Sequence, residues 1–139
     1  MPRRTRCTRR PGRRGERGAA AVEFALVVPL LLIFLFSIIS VSRAFQVQSA
    51  LSGAAREAAR EFAIGNDAST ARQRALDTAS ASAVPLASSS ISISPTSCRG
   101  AASGSNITVT IRYTFQPFGS FAGGVAFPIT GQAVFRCGA

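Results

Sequence analysis

The apolar run from Ala19 to Ile39 is what most constrains this chain. Its only polar side chains are Glu23 and Ser37. At about 1.5 Å per residue it makes a helix of roughly 30 Å, enough to cross the hydrocarbon core of a bilayer. Ahead of Ala19 lie eight arginines and one glutamate. That asymmetry holds the head in the cytoplasm and sends the remainder of the chain outside. Glu23 is the anomaly. A carboxylate in a spanning helix costs about 2.5 to 3.5 kcal/mol at the bilayer centre and less near its edge. Either Glu23 sits solvated at the headgroup level, or the chain uses it.

The charge follows the same division. The formal net charge of the 139 residues is +10, yet most of it lies in the head. Insertion into a membrane accounts for that concentration, and it makes nucleic acid an unnecessary partner. The arginine pairs Arg3-Arg4, Arg9-Arg10 and Arg13-Arg14 also raise a twin-arginine export signal. The apolar run is too long for an ordinary cleaved signal, and no clear Ala-x-Ala site follows it.

Beyond the run, the pattern predicts that the helix continues. Val47, Leu51, Ala55, Ala58 and Phe62 recur at steps of three or four, giving one apolar stripe. Glu57 and Glu61 are like charges one turn apart, and Arg56 is too far from Glu61 for a standard helical pair. Pro29 falls inside the span and is expected to bend it. Gly65-Asn66-Asp67 reads as a stop followed by a cap, with a second helix from Asn66 or Asp67 to about Ala83, ended by Val84-Pro85. Residues 87–105 read as a linker holding a short alternating strand at Ile91–Ser94. Ile107 to Phe115 is the clearest strand, with Ile107, Val109, Ile111, Tyr113 and Phe115 alternating with polar residues. Gln116 to Gly124 reads as a loop. Val125 to Ile129 and Gly131 to Arg136 supply further strand material in two pieces, and Met1 to Gly18 reads as disordered. The expected fold class is α+β: a single N-terminal transmembrane helix extended into a long helix, packed on a small antiparallel sheet. The expected divisions are 1–18, a basic cytoplasmic leader; 19–42, the transmembrane helix; and 43–139, an exported domain.

The segment Glu16-Arg17-Gly18-Ala19-Ala20-Ala21-Val22-Glu23-Phe24 resembles the processing site of a type IV prepilin, in the branch of the Flp/Tad pili. The likeness extends through Ala20 to Pro29, Ser42-Arg43-Ala44 and Ala54 to Arg60, a combination that resembles the TadE-like proteins. It covers about Glu16 to Ile64. The resemblance implies a pilin-like minor pilin or pseudopilin acting in assembly of a Tad-type adhesive pilus. It implies cleavage by a prepilin peptidase between Gly18 and Ala19, and it implies that Glu23, beside Phe24, sets register against neighbouring subunits. The implied partners are that peptidase, other pilins or pseudopilins, the Tad assembly machinery and the membrane, with no nucleic acid. The implied location is the bacterial cytoplasmic (inner) membrane, crossed once, with the C-terminal domain outside. The competing reading is a signal-anchored exported binding domain that is neither cut nor polymerised; such an anchor needs neither Gly18 nor Glu23. An enzyme is the weaker alternative. The exported part has no His, its acids Glu57, Glu61, Asp67 and Asp77 all fall in helical segments, and no Ser sits in a Gly-x-Ser-x-Gly pattern.

The three cysteines are divided by the same topology. Cys7 lies on the cytoplasmic side and leaves with a cleaved head. Cys98 and Cys137 share the exported side, where disulfides persist, and either pair with each other or stay as buried thiols. Two such cysteines without histidine give no metal site, and no cofactor is expected.

The arginine asymmetry generates a direct test. An alkaline phosphatase fused after Ala139 should be active, and a reporter that works only in the cytoplasm should be silent there.

Overall fold

The computed structural model describes residues 14–100, 104–117 and 125–137, with side chains from Gly18 onward. The chain is α+β with a pilin-like layout. Helix α1 (Arg14–Gly65) is followed by α2 (Ala68–Ala81), a short 3-10 turn (Ser88–Ser90) and the strands β1 (Ile91–Ser94), β2 (Asn106–Phe115) and β3 (Phe127–Arg136). The strands form one antiparallel sheet in the order β1-β2-β3. Two compact units divide the chain, Met1–Ile38 and Ile39–Ala139.

In the N-terminal unit α1 begins at Arg14, inside the stretch read as disordered. Arg14, Glu16 and Arg17 are good helix formers beside an already nucleated helix, and adding turns to a helix costs far less than starting one. The rest of that head, residues 1–13 with Cys7, lies outside the described residues. From Leu30 to Phe36 every side chain is exposed, so the apolar surface runs round all sides of the helix. Ser37 donates its Oγ hydrogen to the carbonyl of Ile33 at 2.8 Å, which satisfies a hydroxyl that hydrocarbon would not.

The C-terminal unit holds the core. The stripe read from the sequence is buried as a row: Val47, Leu51, Ala55, Ala58 and Phe62. Ala54, Ala59 and Ala63 widen it, and Ala71, Ala75 and Ala79 of α2 join the same cluster. Ile91 and Ile93 of β1, Ile107, Val109 and Ile111 of β2, and Ile129 and Ala133 of β3 close it from the sheet. Nine of the twenty buried members are alanine, so each removes little apolar area, and their value lies in the close approach they permit.

α1 and β3 approach each other closely. A Cβ built on Gly131 would lie 2.5 Å from the carbonyl carbon of Leu51 and 2.6 Å from its Cβ. Gln48, one turn earlier, donates its Nε2 hydrogen to the carbonyl of Thr130 at 3.0 Å. The two stretches of strand material join into one strand. β3 runs unbroken from Phe127 to Arg136, because Thr130, between the two pieces, pairs with Arg112 in the ladder as Gly131 does with Ile111. Pro128 is tolerated within it because β3 is an edge strand. Phe115 and Phe127 pair at the end of the ladder with ring centroids 5.3 Å apart.

The helix ends are set by local chemistry. Asn66 takes a left-handed conformation (φ 51°) after α1, and Asp67 is the N-cap of α2. The Asp67 carboxylate accepts from the Thr70 hydroxyl at 2.6 Å and from the Ser69 backbone N–H at 2.9 Å, and the Ser69 hydroxyl adds a third donor. These bonds, the Thr70 hydroxyl first, lower its pKa to about 2. The capped form is therefore complete above the ordinary carboxylate range and is lost only as pH falls through about 2. α2 stops at Ala81, short of the expected Ala83. The reason is a Schellman turn: Val84 N–H bonds to the Ala79 carbonyl at 3.1 Å and Ala83 N–H to the Ser80 carbonyl at 2.9 Å, with Ala83 left-handed (φ 55°).

A disulfide joins Cys98, after β1, to Cys137, after β3, with Cα atoms 5.5 Å apart. The Cys98 N–H donates to Oδ1 of Asn66 at 2.6 Å, and the Cys137 N–H donates to the Ser105 carbonyl at 2.8 Å. The bridge thus ties the strand ends to the junction between the two helices. Across that junction Arg74 and Glu61 approach to 3.9 Å, an exposed ion pair of little energetic weight.

Gly131→Ala should destabilise the protein by about 1 to 3 kcal/mol, because backbone cannot move aside as a side chain can. Gly53→Ala should not, since nothing lies within 4 Å of the added methyl, and in a helix interior it should gain about 0.5 to 1 kcal/mol. Unfolding midpoints of the detergent-solubilised chain compare the two. Cys98→Ala and Cys137→Ala should each cost a similar amount, up to about 4 kcal/mol for a loop of this length. Labelling of unreduced protein should find neither thiol free.

Candidate functional site

The candidate site is the start of the apolar helix, Gly18 to Phe24. All of these residues are helical in α1. Gly18 is exposed, and a Cβ built on it would meet nothing within 4 Å. Packing therefore does not require glycine at that position, in contrast to Gly131. Ala19 is exposed beside it, so both sides of the Gly18–Ala19 peptide are open.

Glu23 lies four residues after Ala19, one turn along the same helix face and about 6 Å further on. Its side chain is exposed and bonds to no other described residue. Ser37, the other polar side chain of the run, satisfies itself within the helix. Glu23 does not, and a carboxylate cannot, because it has no hydrogen to donate to a backbone carbonyl. Phe24 is 70% exposed and, like Val22 and Leu26, finds no packing partner in its own unit. The segment thus combines an open small-residue peptide, an unpartnered carboxylate one turn later and apolar side chains on every side. By length and composition α1 is able to cross a membrane, and none of its most apolar window is buried. Such a surface suits a membrane anchor, where lipid or other apolar helices surround it.

Gly18, Ala19, Glu23 and Phe24 are the residues that carry the resemblance to a prepilin processing site, and they lie together on two turns of α1. Cys98 and Cys137 form a separate feature in the C-terminal unit. Asn66 is the residue whose role the sequence left undefined. It was readable as a helix start, but its side chain instead receives the Cys98 N–H across 32 positions, and no local pattern carries that signal.

The model of the family described as TadE-like protein matches residues 18–60. The match opens on the glycine of the candidate site and stops before α2 and the sheet. No curated protein and no solved structure matches the chain. Over residues 18–60, about a third of its length, the chain is similar to the TadE-like proteins.

Proposed function

We propose that this protein is a membrane-anchored minor pilin or pseudopilin that acts in assembly of a Tad-type adhesive pilus, and that it has no catalytic activity of its own. The chain inserts into the inner membrane with its arginine-rich head in the cytoplasm and its C-terminal domain outside. A prepilin peptidase cuts between Gly18 and Ala19. The cut removes the arginines that anchor the helix on the cytoplasmic side and leaves an amine on Ala19. The mature helix then bundles with those of other pilins through its apolar surface, which covers all sides from Leu30 to Phe36.

The observation that carries this reading is that packing explains neither Gly18 nor Glu23. A methyl fits freely at Gly18, and Glu23 has no partner among the described residues. A recognition site for a peptidase accounts for the first. A cation supplied by another subunit accounts for the second, and the amine created by the cut is such a cation. In low dielectric the pair recovers part of its desolvation cost when the geometry is good, and its chief effect is to fix the register between helices. An uncut anchor with a binding domain needs neither feature.

The mature protein should begin at Ala19, and Gly18→Val should leave it uncut; the N-terminal residue recovered from membranes reports both. Glu23→Gln should still be cut but should accumulate in the membrane while pili decline. The unpaired amine costs on the order of 3 to 5 kcal/mol if fully buried and less at a wet interface. Glu23→Asp, which keeps the charge and shortens the reach, should fall between. Full piliation and helix–helix crosslinking in Glu23→Gln would overturn the pairing.

A further inference from the structure

The sheet has one face against the helices and one face toward solvent. On the solvent face the register aligns Ser92 with Thr110 and Gln132 in one row, and Ser94 with Thr108 and Val134 in the next. Arg112 stands in the row beyond, beside Thr130, and Arg136 stands in the row at the other end, beside Asn106. Six residues of β2 separate these rows, so the two arginines lie roughly 20 Å apart along the strands. Both are exposed, and neither guanidinium has a hydrogen-bond or ion-pair partner among the described residues.

The charge around them is one-sided. From Thr78 to Ala139 there is no Asp or Glu, while Arg99, Arg112 and Arg136 all lie there. The exported acids Glu57, Glu61, Asp67 and Asp77 belong to α1, α2 and the α2 cap. Ordinary solvated faces intersperse both signs, which limits non-specific attraction. This face offers hydroxyls and an amide between two unpaired cations and nothing negative.

We propose that this face binds an extended anionic polysaccharide. The spacing rules out a small anion as the preferred ligand: roughly 20 Å exceeds the Debye length of about 8 Å at physiological ionic strength, so a single small anion engages only one arginine. A chain engages both, and the second contact is then intramolecular. Sugar hydroxyls both donate and accept, as the threonine and glutamine side chains between the arginines do, while ring carboxylates meet the guanidinium forks. Single-stranded nucleic acid is disfavoured because the described residues of this face present no aromatic platform for bases. A lipid surface is disfavoured because Val134 is the one aliphatic side chain among these rows, too little to insert. The site is independent of cleavage and of fibre assembly, and it stands or falls apart from them.

The test uses the full chain in detergent and immobilised polygalacturonate, a linear polymer of carboxylated sugars. Binding should be saturable and should weaken at least about tenfold in Arg112→Gln/Arg136→Gln. Thr110→Val/Gln132→Leu, which leaves both charges, should weaken it several-fold. Arg56→Gln/Arg60→Gln, an equal loss of charge from α1, should leave it unchanged. Neutral dextran should not bind. Equal weakening by the two arginine pairs would reduce the effect to net charge and overturn the proposal. So would duplex DNA binding as tightly as polygalacturonate while ignoring Thr110→Val/Gln132→Leu. Unchanged thermal unfolding of the variants certifies that the face, and not the fold, was altered.

Discussion

The C-terminal unit depends on how closely α1 meets β3. At Leu51 and Gly131 main chain approaches main chain with no room for a methyl between them, and Gln48 fixes the register by bonding the neighbouring Thr130 carbonyl. That contact brings Ile129 and Ala133 down onto the helix, and through the ladder it seats Ile107, Val109 and Ile111 against Phe62 and the alanine rows. A core built so largely of alanine has little area to bury per residue. It gains instead from dispersion between backbones brought close together, which falls off steeply with small displacements. The disulfide from Cys98 to Cys137 supports the same arrangement from outside the core by constraining the strand ends, while Asn66 binds that loop to the junction between the helices.

The N-terminal unit follows the opposite logic. Its helix spends nothing on internal packing: apolar side chains point outward on every side, and the one hydroxyl turns back onto its own backbone. A soluble protein cannot hold such a surface in water without aggregating, whereas lipid or a bundle of like helices accepts it. Among the described side chains of this unit Glu23 breaks the pattern, and it does so one turn from the peptide bond that a methyl at Gly18 would not crowd.

The surface of the C-terminal unit is divided by charge as well. Its acids reside with the helices, where Asp67 caps α2 and Glu61 approaches Arg74, and the sheet carries only arginines. Helix termini and helix faces give carboxylates local partners; a strand face of hydroxyls does not. That separation leaves the solvent face of the sheet with a uniform sign.

The sequence by itself determined whatever follows from short-range periodicity and composition. The apolar run, the stripe Val47, Leu51, Ala55, Ala58 and Phe62, the alternation of β2 and the placing of Gly18 and Glu23 at the start of the run are all patterns within a few turns or a few strand positions, so they were legible in the order of residues. The continuity of β3 was not. The sequence offers strand material up to Ile129 and again from Gly131, and only where α1 lies across Gly131 does its missing side chain become the condition for contact. The end of α2 at Ala81 was equally hidden, because Ala83 adopts a left-handed turn that its sequence does not advertise. Asn66 holding Cys98, Arg74 beside Glu61, and Arg112 and Arg136 sharing one face with the hydroxyls between them were decided by tertiary structure alone, since each joins residues that only the packing of α1, α2 and the sheet brings together.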